Sequence, residues 1–200
     1  PVLIEGRLFS IALAQVSFVL AALGIPLLVF AFFQFNLGWP AQWGGLLINA
    51  AILAYVVNIG VSIAKSRSDN IHAVFVFTAA LWLLITTLVG LLLVYNFSNP
   101  FLVFVSLYYL SLHAHIGIVG WFLLMVTGVG SRLIPLFLVS KYDNPKLLWL
   151  IYVLINVSLL GFVFIFLFFP GISFYLLPLP ATVLGVILFG YYCYQCYKQR

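Results

Sequence analysis

Two histidines one residue apart, His113 and His115, stand inside a long apolar run. Imidazole is a common metal ligand and proton carrier, so the spacing decides what the pair can do. On a helix of 3.6 residues per turn, residues two apart point about 200° apart. One ion is poorly held by such a pair, because helical chelation uses i,i+4. Two ligands on opposite faces fit better. A helix wedged between two haems, giving one axial histidine to each, has this geometry, since haem iron takes one protein histidine per axial position. The competing reading is two imidazoles satisfied by neighbouring helices or headgroups. Gly117, Gly120, Gly128 and Gly130 follow the pair, and either a flat macrocycle or another helix can come close at such residues.

The elements that must position these residues follow from composition. Of 200 residues, 66% are hydrophobic and 18% aromatic, against 6% charged. A soluble domain is about a quarter charged, so this chain cannot clothe a water-facing surface. Disorder is excluded for the same reason. Eight cations scattered over the chain make no basic patch, so nucleic acid is not an expected partner. Two cysteines give no disulfide framework. A polytopic membrane protein remains.

The charges punctuate the chain at Glu5–Arg7, Lys65–Asp69, Arg132–Lys146 and Lys198–Arg200. Each apolar stretch between them suits two spans of roughly 20 residues. Turn-forming residues split the stretches at Asn36–Pro40, Asn96–Pro100 and Pro170–Ser173. The expectation is an all-α bundle of six transmembrane helices near 8–34, 42–65, 71–96, 101–131, 146–169 and 173–195. Strands are not expected, because the runs lack the alternation of a barrel. Every Lys and Arg then lies on one face, and the positive-inside rule puts both termini in the cytoplasm.

No span carries Lys, Arg, Asp or Glu near its middle, which argues against ion-coupled transport. Gln15, Asn49, Asn58, Thr86, Thr87, Thr127 and Asn156 are expected to hydrogen-bond between helices. His72 reads as an interfacial residue that shares no site with the pair. Cys193 and Cys196 form a lone CxxC, too few ligands for structural zinc. Tyr191, Tyr192, Tyr194, Tyr197, Trp39 and Trp43 read as interface-belt residues. Arg132 and Lys141 read as headgroup anchors.

The stretch from His113 to Phe137 resembles the tenth helix of haem-copper oxidase subunit I. That family carries His-x-His, an apolar helix rich in small residues and an exit Pro-Leu-Phe, here Pro135-Leu136-Phe137, without a gap. The segments Pro1–Arg7 and Pro135–Lys141 also share a proline, an apolar run and a cation six residues on. That repeat matches the family's twelve helices in three groups of four. The resemblance implies that residues 1–200 are one transmembrane domain, helices seven to twelve of a longer chain. It implies His113 as axial ligand of a high-spin haem iron and His115 as one ligand of a low-spin haem iron, with haem b as cofactor.

The chain departs from the family in two places. The family's seventh helix gives a His-His pair to copper, and residues 8–34 contain no histidine. The family neutralises haem propionates with an Arg pair after the eleventh helix, and residues 169–174 hold no cation. The expectation is therefore a haem-binding electron-transfer subunit without a working copper site, in a respiratory or nitric-oxide-related chain. As an enzyme it would be an oxidoreductase of the terminal oxidase or nitric oxide reductase type. Its partners would be the lipid bilayer, other respiratory-complex subunits, and a cytochrome or quinol donor. Its place would be the bacterial inner membrane. The alternative is a non-catalytic structural subunit whose redox site is lost.

Overall fold

The helix starts are written in short polar residues and prolines. In the computed structural model, which describes residues 6–66, 70–169 and 176–200, Ser10 caps α1 (Ile11–Phe33) by accepting from the Leu13 N–H. Asn70 caps α3 (Ile71–Ser98) and Asn144 caps α6 (Pro145–Phe168) in the same way. Proline stands in the first turn of α2 (Trp39–Ala64), α6 and α7 (Leu179–Lys198), where its missing N–H costs nothing. Between α3 and α6 lies one long span, Ser106–Leu138. It consists of α4 (Ser106–His115), a π-helical segment (Ile116–Leu123) and α5 (Leu124–Leu138).

Among the described residues six helices are long and apolar enough to cross a membrane, and there is no strand. The chain is an all-α polytopic bundle with lipid-facing apolar sides. Large side chains such as Phe18, Phe33, Ile118 and Leu160 lie exposed along the helices, as expected where the solvent is hydrocarbon.

The helices stand largely in the order of the sequence. α1 packs on α2, α2 on α3, and α3 on the broken fourth span, while α6 and α7 close over that span's other side. The main core lies between α3, the fourth span, α6 and α7, and includes Phe75, Leu124, Ile151 and Tyr192. Small residues allow the close approaches. A Cβ on Gly24 would lie 2.9 Å from Leu47, and one on Gly44 2.8 Å from the Leu28 backbone nitrogen, so α1 and α2 touch backbone to backbone.

Polar contacts fix the register. Asn58 is buried and reads both backbone groups of Ser10: its Nδ2 donates to the Ser10 carbonyl at 2.8 Å, and its Oδ1 accepts from the Ser10 N–H at 3.0 Å. The Ser62 hydroxyl accepts from the Phe9 N–H at 2.9 Å. Asn58→Leu should release the first turn of α1, at a cost of about 1 kcal/mol for the lost interhelical bonds. Faster amide exchange at residues 9–13, with the rest unchanged, would check this; unchanged exchange there would refute it.

Three boundaries differ from expectation. The fourth span starts at Ser106, not near 101, because the Asn96 side chain ties the turn. Its Oδ1 accepts from the Phe101 and Leu102 N–H groups, and its Nδ2 donates to Ser106. The span continues past 131 to Leu138, through Pro135. Proline leaves the carbonyl of Ser131, four residues back, without its helical donor. The Tyr192 hydroxyl donates to that carbonyl at 3.2 Å, so the helix survives. The last span begins at Leu179, later than expected. The Pro170–Ser173 break, most of the 169–174 loop, Arg67, Asp69 and the Pro1–Glu5 part of the repeat lie outside the described residues.

Candidate functional site at His113 and His115

The histidine pair sits in the last turn of α4, immediately before the π segment. From Ser106 to His113 the helix rises roughly 10 Å, which puts the pair inside the span. The two rings face different neighbours, as the two-residue spacing requires.

His113 faces α3. Its Nδ1 lies 2.9 Å from the backbone carbonyl oxygen of Thr86. A carbonyl only accepts, so Nδ1 carries the proton and the neutral ring keeps its lone pair on Nε2. Nε2 has no partner among the described residues. The ring lies against Gly90, where an added Cβ would be 2.9 Å from Cε1. Gly90 therefore makes the seat, and the Thr86 carbonyl sets the tautomer.

Beside His113 is a cavity of about 620 Å³ between α1, α2, α3 and the fourth span. Leu28, Ile48, Leu91, Gly117, Ile118 and Trp121 are among its lining residues. This volume lies within the usual range of cofactor pockets, and its walls are mostly apolar, as such pockets are. Its asparagine and threonine side chains are satisfied. The Asn49 Nδ2 donates to the carbonyls of Gly45 and Thr87, and the Thr87 hydroxyl donates to Asn49 Oδ1 at 3.0 Å. The Thr86 hydroxyl donates to the Trp82 carbonyl. Among the described residues no Lys or Arg lines the cavity. A smaller space of about 120 Å³ adjoins it, sharing Phe32, Gly90, Val94 and His113.

His115 faces α6. Its ring lies 3.9 Å from the Phe162 ring, centroid to centroid, at 30°. Neither of its nitrogens has a hydrogen-bond partner among the described residues, and the side chain is half-buried. It does not line the cavity of His113. An imidazole without a partner in an apolar setting costs about 1–3 kcal/mol.

A haem can be tested against these residues. His113 offers a lone pair, a second nitrogen held by a carbonyl and a cavity beside it. Metal-ligating histidines have the same outer arrangement, with the other ring N–H given to a carbonyl or carboxylate. His115 offers an unpaired ring with an aromatic neighbour. The lining of the cavity supplies no cation for haem propionates. α1 contains no histidine, and no three His, Cys, Asp or Glu side chains gather as a metal-ligand set among the described residues.

The other candidates fall elsewhere. His72 lies at the start of α3, with Nδ1 2.7 Å from the Ser131 hydroxyl, beside a polar hollow that Arg132 and Asp143 also line. It shares no site with the pair. Cys193 and Cys196 are free thiols on α7, Cys196 fully buried. The glycines after the pair mostly admit helices: a Cβ on Gly120 would meet Trp82 and Leu159 at 2.8 Å, and one on Gly128 would meet Phe75. Asn49, Asn58 and Asn156 bond between helices as expected, whereas Thr86 and Thr127 bond within their own helices.

Sequence reasoning missed the Thr86 carbonyl, Gly90, Phe162 and the π segment. A backbone acceptor has no signature of its own, and Gly90 is one glycine in an apolar run. Phe162 is one of many phenylalanines on α6. Comparison with protein families, with curated proteins and with solved structures finds no match to this chain.

Proposed function

We propose that the chain is part of a membrane electron-transfer subunit related to haem-copper oxidase subunit I, and that its histidine pair holds b-type haem. His113 would hold haem on the cavity side, and His115 would hold it on the α6 side. Copper has no ligand set in α1, so the proposal includes no copper site. The subunit would work in a respiratory or nitric-oxide-related chain of a bacterial inner membrane, with its cation-bearing end in the cytoplasm.

The observation that carries this reading is the 2.9 Å contact between His113 Nδ1 and the Thr86 carbonyl oxygen. The Thr86 carbonyl holds Nδ1–H and leaves Nε2 as a free base beside an apolar cavity. When bound there, haem supplies a one-electron iron centre. The protein's residues orient the imidazole through Thr86, seat it on Gly90 and exclude water with Leu28, Phe32, Leu91 and Ile118. An N–H held by a carbonyl makes the imidazole a stronger ligand, and losing such an outer contact costs about 10–100-fold in metal affinity.

The test is the reduced-minus-oxidised visible spectrum of the intact protein, with His113→Ala and His115→Ala beside it. A Soret band in the unmodified protein, reduced or shifted in each variant, is the expected result. A featureless spectrum in protein isolated without haem loss would defeat the proposal. The second reading, a structural subunit that has lost its redox site, is favoured by the uncharged cavity lining. It predicts unchanged complex assembly and electron transfer in the double variant.

A further inference from the structure

Between α3, α5 and α6, at the cation-bearing end of the bundle, lies a hollow of about 420 Å³ that the histidine pair does not touch. Asn70 and His72 line it at the start of α3, Arg132 on α5, Asp143 in the turn before α6, and Trp149 on α6. The volume is that of a small-molecule site, roughly 300–1,000 Å³, and more than a single ion needs.

The hollow has fixed walls and a floor. The Ser131 hydroxyl donates to the Gly128 carbonyl at 2.9 Å, so it accepts the His72 Nδ1–H at 2.7 Å and holds that ring in place. One turn deeper, α3 and α6 are bridged. The Thr78 and Tyr152 hydroxyls are 2.9 Å apart, and Trp82 Nε1 donates to Asn156 Oδ1 at 3.1 Å. On the lipid side the hollow runs into an apolar surface. Trp149 stands edge-on to Tyr152 at 5.5 Å, and Trp149, Val153 and Leu160 lie exposed on one face of α6. A charged hollow at the mouth of the spans thus continues into an apolar face along the bilayer.

We infer that this hollow seats the headgroup of a phospholipid whose phosphate meets Arg132 and whose primary ammonium meets Asp143, a phosphatidylethanolamine, with its acyl chains along the Trp149–Leu160 face. The inference stands apart from the haem reading. Arg132 carries five N–H donors in a planar fork, more than one partner can use, and the fork matches the oxygens of a phosphate. Basic pockets between spans are a recurrent place for lipid headgroups. Asp143 then sets the choice among them. A carboxylate beside the base repels a headgroup that is purely anionic and accepts from one that brings N–H donors. A quaternary ammonium has no such donor to give.

The experiment uses the intact protein, delipidated in detergent, and counts bound lipid by native mass spectrometry. The probes are dioleoyl phosphatidylethanolamine, phosphatidylglycerol and phosphatidylcholine at equal concentration. The unmodified protein should hold one phosphatidylethanolamine about tenfold more tightly than either of the others, the worth of one charged hydrogen bond. Asp143→Asn should erase that preference, weakening phosphatidylethanolamine and strengthening phosphatidylglycerol. Asp143 is exposed and lies in a turn, so this variant should keep the melting point of the parent. Arg132→Gln should weaken both lipids alike. Glycerophosphoethanolamine, the same headgroup without chains, should not displace the lipid at the same concentration. Equal binding of the three lipids, or an unchanged preference in Asp143→Asn, would overturn the inference. Displacement by the soluble headgroup would overturn the lipid as occupant in favour of a soluble phosphoester. Neither result touches the haem reading.

Discussion

Gly128→Leu is expected to lower the apparent melting temperature of the detergent-solubilised protein by about 10 °C, and to do so without any cofactor. A Cβ at this position would collide with the Cβ of Phe75 and lie 3.5 Å from the backbone nitrogen of Val76. Phe75 is fully buried and cannot retreat, because Tyr152 stands edge-on to its ring at 5.2 Å. The helices must separate. Overpacking of a core costs about 1–3 kcal/mol and sometimes more, and a clash this near the backbone belongs at the upper end. For a chain of this length each kcal/mol shifts the melting point by about 2–4 °C. Gly128→Ala should act in the same direction but less. Gly190→Ala is the control, since an added Cβ there meets nothing within 4 Å. Equal melting points for Gly128→Leu and Gly190→Ala would show that α3 and α5 do not pack as described.

If the histidine pair holds haem as proposed, deleting Ile118 should cost the protein most of its Soret absorbance while leaving its helix content nearly unchanged. Eight residues, Ile116–Leu123, are wound in π form between α4 and α5. A π turn holds one more residue than an α turn, and such turns recur at functional sites. Removing one residue lets the segment close as α-helix, which changes the twist and rise between α4 and α5. Two contacts then compete. Gly128 must stay on Phe75 to keep the core, and His113 must stay on the Thr86 carbonyl and Gly90 to keep its seat. The core is the larger interaction, so the seat should break. Circular dichroism and the Soret band together check this. A deletion variant with full Soret absorbance and an unchanged melting point would mean that the winding of this segment plays no part in placing His113.

Most of the architecture was legible in the sequence because the bilayer simplifies the problem. With charges and turn residues as the punctuation, six spans were countable. The ends α1 to α3 fall within three residues of expectation, since Ser10 and Asn70 are ordinary caps. The fourth span was misjudged at both ends for one reason. Its limits depend on side chains outside the span, Asn96 for its start and the Tyr192 hydroxyl for its passage through Pro135. The site was half legible. His113 and His115 declare themselves as the histidines of their span, and their opposite directions follow from helix geometry. What makes His113 a free base is a main-chain carbonyl on another helix, and no side-chain pattern announces that.

The row-like order of the helices bears on how the molecule is made. Because each helix finds most of its partners among its neighbours in the chain, the contacts span short sequence distances, and such topologies assemble quickly. Assembly can follow synthesis: the first hairpin joins as soon as its second strand of backbone has entered the bilayer, and later helices add to a finished edge. The latch between Asn58 and Ser10 then acts as a checkpoint in time, because the first helix must wait unlatched until the far end of the second has been made. A ribosome paused between those two events would hold a helix that is inserted but not yet docked.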